Sequence, residues 1–268
     1  MTVAAPDLAA LVSLAHPLLA GLPRFGMAVL VLPLLPTSLV PKRLRSGLII
    51  ALALPAYPLL ASTMPASDWS SGQWMVYALK EAAIGALIGY AMGLLLWGLT
   101  CVGELIDTQA GFNNAQIFDP FAGHPAGPVS VLLTQLGMLL FVAFGGLQVF
   151  LQLVYESLRL WPPASFYPDL GLPTLRDLAI ATSGGLLELA TRLAAPVIAV
   201  LLIVELGIGL VNRAAPQLNA FYFALPVKAL AALLMLALCL SYIVDVVRLQ
   251  IDASQTLLQP LDGIWRAR

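Results

Sequence analysis

Charged residues are scarce in this sequence. Only 10% of its 268 residues are charged and 60% are hydrophobic, whereas soluble domains carry about 25% charged residues. This balance excludes an ordinary soluble domain. The formal net charge of −1 also excludes the basic face that nucleic-acid binding requires. The composition therefore predicts an integral membrane protein.

Cysteine and histidine are equally rare, with two of each. Cys101 and Cys239 lie far apart in apolar runs, a placement typical of small buried hydrophobes. His16 and His124 each lack a second candidate ligand nearby. We therefore expect neither a metal nor a cofactor.

Signatures of enzymes are missing as well. The sequence contains no HExxH, no GxSxG and no phosphate-binding GxxxxGK[ST], the patterns that mark common hydrolases and nucleotide-binding loops. No grouping of Ser, His and an acid is visible. The chain is therefore predicted not to be an enzyme, and this prediction includes enzymes that act within the membrane.

Basic residues are few, and their positions predict the topology. The segment PKRLR at 41–45 should be cytoplasmic, and the following loop, 63–74, has no Lys or Arg and should lie outside. Arg248, Arg266 and Arg268 suggest a cytoplasmic tail. The first 19 residues lack the positive region of a secretory signal, so we interpret them as part of the mature protein.

Long apolar runs are abundant. A membrane-spanning helix needs about 20 apolar residues, and residues 82–103 and 125–155 contain no charge at all. Further apolar segments are interrupted by proline or charge, and they cover 8–35, 46–62, 176–191, 193–212 and 217–247. The pattern predicts an all-α polytopic membrane protein with six to eight helices.

The 20 prolines predict that several of these helices are broken. Proline inside a helix removes a backbone hydrogen bond and usually kinks the helix. In lipid, the freed carbonyl must find a protein partner or line a wet cavity. The sequence therefore favours broken helices and helical hairpins that pack against other protein chains.

Gly85, Gly89 and Gly93 are spaced four residues apart and therefore share one helix face. Small residues on one face allow a neighbouring backbone to approach closely. The neighbour is either another helix of the same chain or a partner subunit.

A few acidic residues stand out against the apolar background. Glu104 and Asp107 are three residues apart, which suits either a proton relay or cation site or a wet helix end with local backbone bonds. Glu205 lies within an apolar run. It predicts either an ion pair with a neighbouring helix or subunit, or transport chemistry. Arg213, two turns further on, is too distant to pair with it directly.

Two stretches together resemble a known family. GELIDTQAGFNNAQIFDP at 103–120 and VNRAAPQLNAFYFALPVKAL at 211–230 are similar to conserved segments of the T component of type III secretion export gates, the injectisome counterpart of flagellar FliR. The resemblance covers nearly the whole chain. Ala110 is a departure, because injectisome relatives often carry Arg there.

The resemblance implies an architecture. Residues 1–185 would form an R-like part and residues 186–268 an S-like helical hairpin within one export-gate membrane domain. Together with several copies of R- and S-type membrane proteins, the chain would build a closed hetero-oligomeric helical pore. This assembly would be anchored in the bacterial inner membrane and raised largely to its periplasmic side.

The resemblance also implies a function without enzymatic activity. The chain would be a structural, pore-forming subunit that helps to conduct and gate unfolded substrate proteins. Its further partners would be the U-type switch protein and the inner rod or needle.

The resemblance implies that the polar stretch lies at the pore as a plug. Amide side chains can line a wet path without binding one substrate tightly, and phenyl rings can close it by excluding water. The alternative is a buried re-entrant loop with only a structural role. The predicted plug residues are Gln109, Gly111, Phe112, Asn113, Asn114, Gln116, Phe118, Asp119 and Pro120.

A second group of residues is predicted to contact partner subunits. Its polar members lie in an apolar hairpin whose helices Pro216 and Pro226 should break. The aromatic patch at the bend, formed by Phe221, Tyr222 and Phe223, should touch the S-type partners or the base of the inner rod, with internal packing as the alternative. The group consists of Gly85, Gly89, Gly93, Glu205, Arg213, Pro216, Asn219, Phe221 and Lys228.

A different class of function competes with the export gate. Broken helices and an intramembrane Glu205 also suit a secondary transporter of a small solute. That hypothesis predicts an inverted internal repeat, and none is visible in the sequence.

Overall fold

A computed structural model describes residues 8–34, 40–63, 70–112, 117–118, 125–165, 172–215 and 220–256. These ranges are almost entirely helical, which confirms the all-α prediction. The α-helices are α1 (Leu8–Val31), α2 (Lys42–Ala53), α3 (Tyr57–Ser62), α4 (Ser71–Ala110), α5 (Pro128–Ala143), α6 (Gly146–Leu160), α7 (Leu172–Ala214) and α8 (Ala220–Thr256). The strands β1 (Ile117–Phe118) and β2 (Pro125–Ala126) form one short antiparallel pair.

Four segments of the described chain are long and apolar enough to cross a membrane. They are Lys42–Ser62, Ser71–Ala110, Glu188–Ala214 and Tyr222–Ser254. A fifth span results if α5 and α6, which are bent by 66° at their junction, count as one broken span. The chain is therefore a multi-pass membrane protein, as the composition predicted.

Helix α4 extends well beyond the predicted run of 82–103. It begins at a reciprocal cap. The backbone amide of Ser70 donates to Gln73 Oε1 (2.8 Å), and the backbone amide of Gln73 donates to Ser70 Oγ (3.4 Å). Such a capping box satisfies amides that the first turn leaves free. The helix ends before Gly111, whose φ of +82° is a left-handed conformation that favours glycine. Its 40 residues span about 60 Å.

The charge-free run of 125–155 does not form one continuous helix. Gly145 adopts a φ of +79° and separates α5 from α6. The run predicted as a membrane span therefore consists of two helices with a bend between them. The physical reason is the glycine pair Gly145–Gly146, which allows a helix to end there. Hydropathy does not reveal this end, because the residues on both sides are apolar.

Proline has mixed effects on the helices. A short 3₁₀ turn at Leu54–Ala56, which contains Pro55, separates α2 from α3, as expected. The prediction that Pro226 breaks its helix is wrong, because α8 continues through it. A single missing backbone bond is tolerated in a membrane helix when neighbouring groups compensate. The segments predicted at 176–191 and 193–212 also join into one helix, α7, through Pro196.

The chain divides into two compact units. Unit 1 comprises residues 1–93 and 150–178, and unit 2 comprises residues 94–149 and 179–268. Unit 1 buries Phe25, Leu60, Tyr77 and Phe150. Unit 2 has its own core, which includes Leu99, Ile106, Leu133, Phe141 and Val197. The proposed division into R-like and S-like parts is of another kind and stays a prediction.

Candidate functional site

The C-terminal turns of α4 are fixed to the start of α5 in unit 2. The Asp107 carboxylate is 2% exposed and accepts hydrogen bonds from the Val129 amide (3.0 Å) and the Ser130 amide (2.8 Å). These amides belong to the first turn of α5, which has no partner for them within its own helix. The Asp107 side chain, which belongs to α4, thus acts as the N-terminal cap of α5.

Two glycines allow this close contact. A Cβ atom at Gly103 would overlap with the Ser130 backbone, and one at Gly127 would overlap with the Asp107 carboxylate. Glu104, in contrast, is exposed. Asp107 is therefore committed to backbone amides and does not share a site with Glu104, as a relay or cation site would need.

Two residues beyond Asp107, the end of α4 is also bonded to the α7–α8 hairpin. Gln109 Nε2 donates to Glu205 Oε2 of α7 at 3.0 Å, and Lys228 Nζ of α8 lies 3.3 Å from the same oxygen. The structure thus brings together one predicted plug residue and two predicted interface residues. Glu205 thus forms an ion pair with Lys228 on the neighbouring helix. An ion pair was one of the two alternatives for Glu205, and transport chemistry was the other.

The remaining plug residues follow this anchored turn. A Cβ atom at Gly111 would lie 2.8 Å from Leu225 Cδ2 of α8, so glycine suits both the backbone conformation and the space. Phe112 is half-exposed. Phe118 is described only through its backbone, which pairs with Pro125. The other plug candidates, which lie outside the described residues, are Asn113, Asn114, Gln116, Asp119 and Pro120.

The predicted interface residues are distributed more widely. Gly85 and Gly89 lie in unit 1, where added Cβ atoms would meet the carbonyl oxygens of Arg24 and Ala28 on α1. This geometry corresponds to packing within the chain. Gly93 is buried and Arg213 is exposed. Phe221 is described only as part of α8, and Pro216 and Asn219 lie outside the described residues.

Unit 1 contains a buried charge cluster that sequence reasoning missed. Arg24 and Glu81 are both 0% exposed and form a two-pronged ion pair, with Nε–Oε2 at 2.7 Å and Nη2–Oε1 at 3.0 Å. Arg24 also donates to Ser157 Oγ (3.1 Å) and to the Trp161 carbonyl (3.0 Å). The cluster therefore joins α1, α4 and the end of α6.

Lys80 completes this cluster. Its Nζ lies 2.8 Å from Glu81 Oε1 and donates to the carbonyls of Pro163 (3.0 Å) and Ser165 (2.9 Å). All three ammonium protons are thus used. Three carbonyls in and beside the non-helical turn after α6 thus accept from cations, and partners of this kind are what a backbone away from water requires.

The adjacent pair Lys80–Glu81 was the available signal for this cluster. Adjacency alone does not predict such a contact, because neighbouring residues on a helix point in different directions. Long side chains overcome that separation here, because the Glu81 carboxylate binds both Lys80 Nζ and the Arg24 guanidinium. The described residues contain no group of three or more His, Cys, Asp or Glu side chains that could hold a metal ion.

Comparison with known proteins decides the family. The sequence profile of the family "Bacterial export proteins, family 1" matches residues 16–254. The chain belongs to this family of bacterial export proteins. Among similar members, Yop proteins translocation protein T of Yersinia pestis is 32% identical over 245 residues, which cover 91% of this chain and 90% of the relative.

Other family 1 export proteins come from both secretion and flagellar systems. Secretion system apparatus protein SsaT of Salmonella typhimurium is 29% identical, covering 80% of this chain and 82% of the relative. Flagellar biosynthetic protein FliR of Caulobacter vibrioides is 30% identical, covering 81% and 86%. The resemblance read from the two motifs is confirmed. This family 1 member is a structural export-gate subunit of the type III kind and not a solute transporter.

Proposed function

We propose that this chain supplies the plug of a type III export gate and that the polar stretch following Gln109 closes the protein-conducting path at rest. R- and S-type membrane proteins, several copies of each, complete the wall of the pore. Unfolded proteins pass through it transiently. The chain has no catalytic role, and energy comes from other parts of the machine.

The anchoring of the last turns of α4 supports this proposal most strongly. Asp107 holds the start of α5, and Gln109 is bonded to Glu205 of α7. The polar stretch therefore leaves α4 from a fixed point, and it returns to α5 at the turn that Asp107 caps. A segment that is held at both ends can keep one position across a path and block it, whereas a freely moving loop could not.

The surface of the α7–α8 hairpin supports a protein environment. Exposed apolar side chains recur along α7 at Ile203, Leu206 and Leu210, and they flank Glu205, which is 52% exposed. A carboxylate at this depth of a span is unfavourable against lipid and usually faces protein or water. S-type partners are therefore the better cover for this face, in line with an S-like role for residues 186–268.

The lengths of the helices support a position raised towards the periplasm. Helix α4 is about 60 Å long and α7, with 43 residues, about 65 Å, whereas the hydrocarbon core of a bilayer is about 30 Å thick. Parts of both helices should therefore leave the membrane plane. The U-type switch protein and the inner rod would bind the assembly at its two ends, and residues 41–45 would remain in the cytoplasm.

A deletion tests the plug. We would remove residues 112–116, which spares Gln109 and Gly111, and coexpress the variant with its neighbouring membrane genes. A control variant keeps the length by replacing the same five residues with Gly and Ser. The native mass of the purified complex reports assembly, and dissipation of the membrane potential reports leak.

The expected result is a complex of normal mass that leaks ions in the deletion variant. The Gly/Ser variant should leak less, because its segment still occupies the path. A deletion variant that assembles normally and remains as tight as the unmodified gate would refute the plug.

A further inference from the structure

We propose that Glu205 is a latch that ties the last turn of α4 to the α7–α8 hairpin in the closed gate. Opening releases Gln109 from Glu205, while Lys228 stays bound to it. This inference rests on the proposed function, because it assigns a regulatory contact to the base of the proposed plug.

One oxygen atom carries both interactions. Glu205 Oε2 accepts from Gln109 Nε2 at 3.0 Å and lies 3.3 Å from Lys228 Nζ. Gln109 is two residues before Gly111, which ends α4 with a φ of +82°. A shift of the helix end beyond Asp107 would therefore strain the Gln109–Glu205 bond.

The two interactions differ in what is left behind when they break. Release of Gln109 leaves a neutral amide that water can solvate, and it leaves Glu205 still paired with Lys228. Separation of Lys228, which is only 15% exposed, would leave a shielded charge without its partner, and this is far less favourable. The Gln109 bond is thus the one that can break reversibly.

The strength of this bond suits a latch. Hydrogen bonds to charged groups stabilise moderately, and partial exposure of Glu205 weakens the contribution because water competes. We expect loss of the bond to raise the open fraction of the gate by about three- to tenfold. This is large enough to favour the closed state and small enough for a substrate to overcome.

Lys228 is a positioning residue in this arrangement. It contacts the Glu205 carboxylate at 3.3 Å, and its effect on Gln109 passes through that carboxylate. Without Lys228, the Glu205 side chain can turn towards water and leave Gln109. Arginine at this position keeps the charge and should keep the latch, whereas methionine should weaken it.

A reciprocal exchange tests the latch directly. Gln109→Glu places two carboxylates against each other, and like charges at this distance repel. The double variant Gln109→Glu/Glu205→Gln restores one amide and one carboxylate in exchanged positions. Leak and the export rate of a reporter substrate are measured in the coexpressed gate, with native mass as the check on assembly.

A matched control lies on the same helix. Glu188→Gln removes the exposed ion pair of α7 with Arg192 (2.7 Å) and should leave leak unchanged. We expect Gln109→Glu to leak about three- to tenfold more than the unmodified gate and the double variant to recover in part, because Glu205→Gln also removes the direct counter-charge of Lys228. Lys228→Met should leak and Lys228→Arg should remain tight. Gln109→Ala removes the bond without adding charge and tests the same point should Gln109→Glu fail to assemble.

Two results would overturn the latch. One is a double variant that leaks as much as Gln109→Glu, and the other is a tight gate in both Gln109→Glu and Gln109→Ala. The deletion of residues 112–116 separates the two proposals. If the deletion leaks while the Gln109 variants stay tight, the latch is wrong and the plug stands; if the deletion does not leak, the plug itself fails.

Discussion

Replacing Glu81 with glutamine should destabilise unit 1 more than replacing either of the cations that it binds. Glu81 is fully buried and accepts bonds from Arg24 and Lys80. Glutamine has nearly the same shape, but it leaves the buried Arg24 and the partly buried Lys80 without a counter-charge. Its amide group would also point a donor at a site that contains only donors.

The expected magnitudes follow from which charges remain. Removing one member of a buried ion pair costs about 3–5 kcal/mol when the other charge is left uncompensated. Lys80→Met keeps the two-pronged Arg24–Glu81 pair and removes the Lys80 bond of the Pro163 carbonyl, whereas the Ser165 carbonyl still accepts from Trp161 Nε1 (3.0 Å). We expect a cost of about 1–3 kcal/mol. Arg24→Met should fall between these values, because Glu81 keeps Lys80. Adding Lys80→Met to Glu81→Gln should recover part of the loss, since one uncompensated cation is removed.

Thermal unfolding of the purified chain in mild detergent would measure the effect. At about 2 °C per kcal/mol, Glu81→Gln should lower the midpoint by roughly 6–10 °C. Glu156→Gln is the matched control in the same unit, because it removes an exposed ion pair with Arg159 (3.2 Å) that contributes about 0–1 kcal/mol. Equal shifts for Glu81→Gln and Glu156→Gln, or a larger shift for Lys80→Met, would refute this reasoning.

Three further outcomes are expected. Gly85→Ala should lower the unfolding midpoint because its Cβ would overlap with the α1 backbone, at about 1–3 kcal/mol, whereas Gly207→Ala, which meets open space, should be neutral or stabilising. Asp107→Ala should speed hydrogen exchange in the first turn of α5, whose two amides lose their acceptor, while Asp252→Ala on the exposed face of α8 should not. Arg43→Cys should react with an impermeant maleimide only in inverted vesicles, and labelling from the periplasmic side would contradict the predicted topology.

The sequence was sufficient for the fold class because hydropathy reports directly on burial in lipid. It was less informative about where helices end. Gly145 breaks the apolar run between α5 and α6, and Pro226 leaves α8 intact. In both cases the outcome depends on backbone conformation and neighbouring groups, which a count of apolar residues does not contain.

The candidate site shows the same limit. The motif around Gln109 was recognised, yet its bond to Glu205 joins residues 96 positions apart. Which face of α7 meets α4 depends on helix register, and one helical position changes the direction of a side chain by about 100°. The buried partner of Glu81, Arg24, was missed for the same reason, because 57 residues separate them.

The exposed apolar side chains of α7 and α8 affect the stability of the chain in the cell before it assembles. These helices are about twice as long as the lipid layer is thick, so parts of them extend outside the membrane. A newly made copy therefore exposes apolar surface to water until other subunits cover it. Such surface promotes aggregation and recognition by proteases. The cellular half-life of this subunit should therefore be set by the supply of its partners, and synthesis of the gate proteins in matched amounts becomes a requirement of the fold itself.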